Sequence, residues 1–248
     1  MPVAQLRPNE RYALVGKTRS GKTALAMVLA STFAQALASS DDRWQVWWVD
    51  TKHDNKDLAS LRKWGFRNAA SYEDMQSVGS LGNALYFRIA TRDGEGRDLE
   101  TVEQVQFLLR KAYERKHVIV VIDEYVQAVP SPRNAGKALL DIFQRGGGLN
   151  VGLIGLTQEP VYVPRQLLSQ ATHLVMFSLT HRYDVEYMHK MESAYQVPMK
   201  LGDPYGFWWK HVDGSGEVIY YPNQRVWYDN LHVAMPNTLK PETEAISA

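Results

Sequence analysis

Apolar residues first cluster at Tyr12 to Val15, a short run that ends in a glycine loop and predicts a strand. Lys22 to Ala38 follows, rich in Ala, Leu and Met and free of Gly and Pro, which predicts a helix. Trp44 to Val49 is a dense apolar run suited to a buried strand. Asp57 to Trp64 predicts a short helix stopped by Gly65, and Ala84 to Ile89 another strand. From Leu99 to Arg115 the apolar positions Val102, Val105, Leu108, Leu109 and Ala112 recur at helical spacing. Val118 to Ile122 is five consecutive β-branched residues, a strong buried-strand signal. Pro130 to Asn134 reads as a turn, Ala135 to Gln144 as a helix, and Gly146 to Gly148 as a break. Strands are predicted at Val151 to Leu156 and His173 to Leu179, and a helix at Asp184 to Ser193.

Strands alternating with helices imply an α/β fold, a mainly parallel sheet covered by helices on both faces. Beyond Gly202 the pattern changes. Gly206 to Val212 and Glu217 to Tyr221 flank Asp213-Gly214-Ser215-Gly216, which predicts a β-hairpin. The division expected is therefore a core over residues 1–205 and a C-terminal hairpin and tail over 206–248, packed on that core, with a frayed polar end.

Composition narrows the chemistry. With 248 residues, 45% hydrophobic and 22% charged, the chain is ordinary globular material with enough apolar residues for a sizeable core. The net charge of +1 means that any nucleic-acid surface must be local. There is no cysteine, which excludes disulfides, thiolate metal sites and cysteine nucleophiles. No apolar leader and no run long enough to span a membrane are found, so a cytoplasmic protein is expected.

Gly16-Lys17-Thr18-Arg19-Ser20-Gly21-Lys22-Thr23 fits G-x-x-x-x-G-K-[ST] and lies between a predicted strand and a predicted helix. The glycines let several N–H groups point inward around phosphate, and the helix adds its positive N-terminal end. Lys22 is expected to reach the β- and γ-phosphates of ATP, and Thr23 to place its hydroxyl on Mg²⁺. Asp123-Glu124 directly follows the strand Val118 to Ile122, where carboxylates face the ligand crevice of a parallel sheet. Asp123 is expected to hold Mg²⁺ and Glu124 to polarise the attacking water. Thr157-Gln158 ends the next strand, and the Gln158 amide is a candidate contact for the γ-phosphate or the attacking water. Thr51-Lys52-His53-Asp54 matches the guanine-reading [NT]-K-x-D pattern, but it precedes the acidic strand instead of following it, and Val126 stands where a GTPase has glycine. A GTPase is rejected on that order.

Taken in sequence, these elements resemble the FtsK–HerA superfamily of DNA-pumping ATPases. The resemblance covers about residues 10 to 210. Besides the phosphate loop and Asp123-Glu124, it rests on Asp50-Thr51-Lys52, similar to a D-x-K ending the second strand. It rests also on Arg145-Gly146-Gly147-Gly148-Leu149-Asn150-Val151 leading into Thr157-Gln158-Glu159-Pro160, and on Arg182 and Asp184 after the strand that ends near Leu179. It implies a RecA-like P-loop NTPase core, Gln158 as sensor, and a homo-oligomeric ring, usually a hexamer. In that ring an arginine from a neighbouring subunit completes each site, with Arg145 the first candidate and Arg182 the second. The chain carries none of the large additions of bigger members, and so looks like the compact genome-packaging ATPases of internal-membrane icosahedral viruses. That implies double-stranded DNA as a partner, room for a portal or membrane-bound partner, and a place in the host cytoplasm or at the virion vertex.

Two loops are candidates for backbone contact with a duplex: Thr91 to Asp98, with Arg92 and Arg97, and Ser131 to Lys137, with Arg133 and Lys137 and no acid. Trp44, Trp47, Trp48, Trp208 and Trp209 offer stacking surfaces, but core packing is the reading preferred here. The alternatives to DNA translocation are an ATPase that drives protein or virion assembly or secretion, and a small-molecule kinase. The kinase ranks last, because no arginine-rich lid is found.

Overall fold

The computed structural model of the chain describes residues 4–40, 43–52, 56–69, 83–89, 100–192, 205–211, 218–221 and 231–233. The loop Thr91 to Asp98, the turn Asp213 to Gly216, and His53 and Asp54 lie outside the described residues.

Eleven strands and six helices are described. The strands are β1 (Ala4–Leu6), β2 (Arg11–Val15), β3 (Gln45–Asp50), β4 (Arg67–Ala69), β5 (Ala84–Arg88), β6 (Val118–Ile122), β7 (Val151–Thr157), β8 (His173–Phe177), β9 (Phe207–His211), β10 (Val218–Tyr221) and β11 (Leu231–Val233). The helices are α1 (Lys22–Ser40), α2 (Lys56–Arg62), α3 (Thr101–Arg115), α4 (Lys137–Arg145), α5 (Arg165–Ser169) and α6 (Arg182–Met191). No helix among them is long and apolar enough to cross a membrane.

Nine strands form one sheet in the order β10-β9-β8-β2-β7-β6-β3-β5-β4, and β1 pairs in parallel with β11 in a separate ribbon. From β8 to β4 every pairing is parallel. The strands that carry the glycine loop and the acidic pair, β2 and β6, are therefore separated by β7 alone, and the C-terminal ends of all three strands share one edge.

The β-branched run of β6 divides its side chains between two cores. Val118, Val120 and Ile122 join α3 and α4 on one face, and Ile119 and Val121 join α1 on the other. Burial on both faces is what a near-continuous apolar strand predicts. The tryptophans follow the same alternation: Trp47 enters the first core, and Trp44, Trp48 and Trp209 the second, all at 2% exposure or less. These four pack the interior and are closed to stacking with nucleic acid, while Trp208 is partly buried against the first core.

The predicted C-terminal hairpin is present as β9 and β10, which pair antiparallel. It extends the main sheet, because β9 also pairs antiparallel with β8. A buried polar knot ties this junction. The Trp209 indole N–H donates to His173 Nδ1 (3.2 Å), and His173 Nε2 meets the Glu10 carboxylate at 2.7 Å. The His173 ring stacks on Tyr12, with centroids 4.4 Å apart. Since Nδ1 accepts from the indole, the imidazole proton sits on Nε2 and faces Glu10.

Candidate active site

The loop between β2 and α1 is rooted in both strands that flank β2. The Gly16 N–H donates to the Thr157 carbonyl at the end of β7 (3.1 Å), and the Lys17 N–H to the Ser178 carbonyl just past β8 (2.8 Å). Two residues carry positive φ, Arg19 at 61° and Gly21 at 100°. The second value lies where a side chain is strained, which accounts for glycine there. The Ser20 side chain is fully buried, and its hydroxyl has no hydrogen-bond partner. Helix α1 then starts at Lys22, so its free N–H groups face the loop.

Lys22 Nζ donates to the carbonyls of Gly16 (2.5 Å) and Lys17 (2.8 Å), which holds the ammonium in the mouth of the loop. Burial draws its pKa down from 10.5 to about 8. Glu124 opposes that shift, Lys52 adds to it and Asp123 opposes it.

Asp123 and Glu124 follow β6 immediately and are 1% and 8% exposed. The Asp123 N–H continues the ladder to the Val49 carbonyl (3.3 Å), and its carboxylate meets Lys52 Nζ at 2.8 Å. Burial raises the pKa of Glu124. The Thr157 hydroxyl, the ammonium groups of Lys52 and Lys22, and the Gln158 backbone pull it back. A carboxylate held in this way, beside cations and largely out of water, suits a general base. Directly after it, the Tyr125 ring lies over Gly155 of β7, where a Cβ would come within 1.7 Å of the ring. Glycine at 155 thus makes room for the turn that carries Glu124.

At the end of β7 the Gln158 side-chain carbonyl accepts a hydrogen bond from the Thr18 hydroxyl, joining the candidate sensor to the phosphate loop. The structure therefore brings together the loop Gly16 to Thr23, Asp123, Glu124 and Gln158. Arg145 is not among them. It is exposed at the C-terminal end of α4, by the opposite edge of the sheet, where Arg11 Nη1 donates to the Phe143 carbonyl (2.8 Å) and Asn9 Nδ2 to the Gly147 carbonyl (3.1 Å). Arg182 starts α6 on the loop's edge of the sheet and pairs with Glu186 at 2.7 Å. Sequence reasoning missed the contact of Lys52 with Asp123 and the role of Thr157 beside Glu124. Parallel neighbours β3 and β6 end level with each other, so the residues just past Asp50 were the available signal.

The donor set fits Mg²⁺. Among the described residues no group of three or more His, Asp and Glu converges. One buried carboxylate, Asp123, and the Thr23 hydroxyl, with the phosphates of a nucleotide, are the hard oxygen donors this ion takes.

The sheet order and the glycine loop at the C-terminal edge of its central strands define a RecA-like P-loop fold. Solved structures share this architecture. The genome packaging NTPase B204 from Sulfolobus turreted icosahedral virus 2, in complex with AMPPCP, is 18% identical, with 86% of this chain and 97% of that chain covered at a TM-score of 0.63. The same NTPase in complex with AMP gives 17% identity, coverages of 87% and 98%, and a TM-score of 0.64. VirB4 of Thermoanaerobacter pseudethanolicus is similar at 12% identity, over 74% of this chain and 81% of that one, with a TM-score of 0.51. At these identities the likeness is one of fold. No family model matches the chain, and no curated protein matches it in sequence.

Proposed function

We propose that the chain is an ATP hydrolase that translocates double-stranded DNA, in the packaging of a viral genome. The observation that carries this reading is the meeting of the loop, the acidic pair and Gln158 at one sheet edge, in a fold shared over most of its length with a packaging NTPase. Loop N–H groups from Gly16 to Thr23 and the start of α1 bind the phosphates, and Lys22 moves from its loop carbonyls onto the β- and γ-oxygens. Glu124 accepts the proton of the attacking water, and Gln158, tied to Thr18, registers the γ-phosphate. Thr23 and Asp123 hold Mg²⁺, whose chemistry when bound is to neutralise charge across the phosphates.

The active form in this reading is a homo-oligomeric ring, a hexamer, in which Arg145 or Arg182 reaches the neighbour's site. Arg145 is exposed and remote from the site of its own subunit, which supports action in trans over action in its own site. Duplex contact falls to the turn Ser131 to Lys137. Its Arg133 is exposed, and the Gln106 amide braces the turn by donating to the carbonyls of Ala128 (3.0 Å) and Ala135 (3.1 Å). Lys137 is already engaged by Asp141 at 2.6 Å, so Arg133 leads there. The division in this reading is an ATPase core, 1–205, with a C-terminal hairpin and tail, 206–248, acting in the cytoplasm or at a virion vertex, where a portal or membrane-bound partner docks.

The test is steady-state ATP hydrolysis with and without long duplex DNA at low salt, with Lys22→Ala as the blank. Stimulation by DNA that vanishes in the blank is expected. Turnover indifferent to DNA would instead favour an ATPase of protein or virion assembly, the reading that the near-neutral charge leaves as runner-up.

A further inference from the structure

Lys52 stands just past β3, and its direction is fixed locally. The Asp50 carboxylate accepts the Lys52 backbone N–H (2.9 Å) and the Tyr86 hydroxyl (2.5 Å), so the chain leaving the strand is held at both carboxylate oxygens. From there the ammonium crosses to β6 and lies 2.8 Å from Asp123 Oδ2. Asp123 is 1% exposed, while the Lys52 side chain keeps 34% of its surface in solvent. The pair is thus a buried carboxylate with a cation that enters from the water side. Lys22 and Glu124 complete the cluster, close enough to feel Lys52 electrostatically. Beside it Thr51 is 3% exposed, with a hydroxyl that has no hydrogen-bond partner.

We propose that Lys52 is a resident cation of the magnesium site, holding Asp123 neutralised until a metal–nucleotide complex arrives and leaving it as the metal enters. This rests on the assignment of Asp123 to the metal. A buried carboxylate cannot stay ionised without a partner, and an ammonium and a divalent ion cannot share one face of it, because like charges repel at close range. Free metal must displace Lys52 from this ion pair and brings no anion of its own to the cluster. Metal that arrives on a triphosphate brings anionic oxygens to receive the displaced ammonium. Lys52 therefore couples metal binding to nucleotide binding, and it acts through Asp123 as a positioning residue.

The experiment measures binding of free Mn²⁺ by electron paramagnetic resonance, without nucleotide, alongside the melting temperature. The proteins are the wild-type chain, Lys52→Met, Asp123→Asn and the double variant. In Lys52→Met, free Mn²⁺ should bind about tenfold more tightly or better, the scale of one lost charge–charge coupling. The metal-free protein should melt lower, and Mn²⁺ should restore it. In the Asp123→Asn background, Lys52→Met should change neither quantity, which also controls for a variant that merely folds poorly. Unchanged or weaker Mn²⁺ binding in Lys52→Met, whatever its melting temperature, overturns the proposal. Fluorescent-nucleotide binding in EDTA by the wild-type chain and Lys22→Ala, run in parallel, tests the nucleotide reading separately. Failure there leaves the Mn²⁺ comparison intact.

Discussion

At the scale of the residue, two side chains of the site carry opposite perturbations. Glu124 is buried and its pKa raised, and it stands beside the ammonium groups that would flank a γ-phosphate. Glu124→Gln should keep nucleotide binding and lower kcat by about 10² to 10⁴, the range for loss of a general base, as read by steady-state hydrolysis beside fluorescent-nucleotide titration. Lys22 is drawn down to about 8 by burial. The unfolded chain then holds more protons than the folded one between about pH 8 and 10.5, so this lysine's contribution to stability rises with pH across that window. Bound phosphate favours the charged form and reverses the sense for the ligand. Nucleotide affinity in EDTA should be complete below pH 8 and fall as the pH rises past it, with proton uptake visible by calorimetry in buffers of different ionisation enthalpy. The loop, Asp123, Glu124 and Gln158 were legible in the sequence because each is a residue type at a required spacing beside a recognisable strand. Lys52 was not, because its partner lies 71 positions away and the link appears only once β3 and β6 are known to be neighbours.

At the scale of the element, long or strongly patterned segments were readable and short ones were not. Strand β6 spans the β-branched run Val118 to Ile122, and α1 and α3 follow their predicted ranges closely. Strands β1 and β4 have three residues each and α5 has five, too few for a hydrophobic period to register. Most boundaries shift by one or two residues from the predicted ones: β8 ends at Phe177, and α6 begins at Arg182. Packing between elements imposes a demand of its own at Gly155, which the Tyr125 ring occupies. Gly155→Ala should destabilise the fold by about 1–3 kcal/mol in denaturant unfolding, as overpacking of a tight interior does. Because the displaced ring adjoins Glu124, kcat should fall more than nucleotide affinity.

At the scale of the whole molecule, the alternation of strands and helices gave the parallel sheet and its two covered faces, and the glycine-flanked runs near the end gave the hairpin. Strand order was out of reach, since local patterns carry no information on which strands become neighbours. That order sets β7 between the loop strand and the acidic strand, and so puts Gln158 at the site. The ring is argued at this scale too. If Arg145 completes a neighbour's site, Arg145→Ala should reduce hydrolysis by about three orders of magnitude or more. Mixing it with Lys22→Ala should recover turnover in rings where an intact arginine faces an intact loop, whereas equal loss with Arg182→Ala alone would move the role to Arg182. The central claim, that hydrolysis moves duplex DNA, is tested most directly by displacement of a triplex-forming strand from a long duplex in the presence of ATP and Mg²⁺. Displacement is expected with the wild-type chain and none with Glu124→Gln. ATP turnover on the same duplex with the third strand left in place would contradict it.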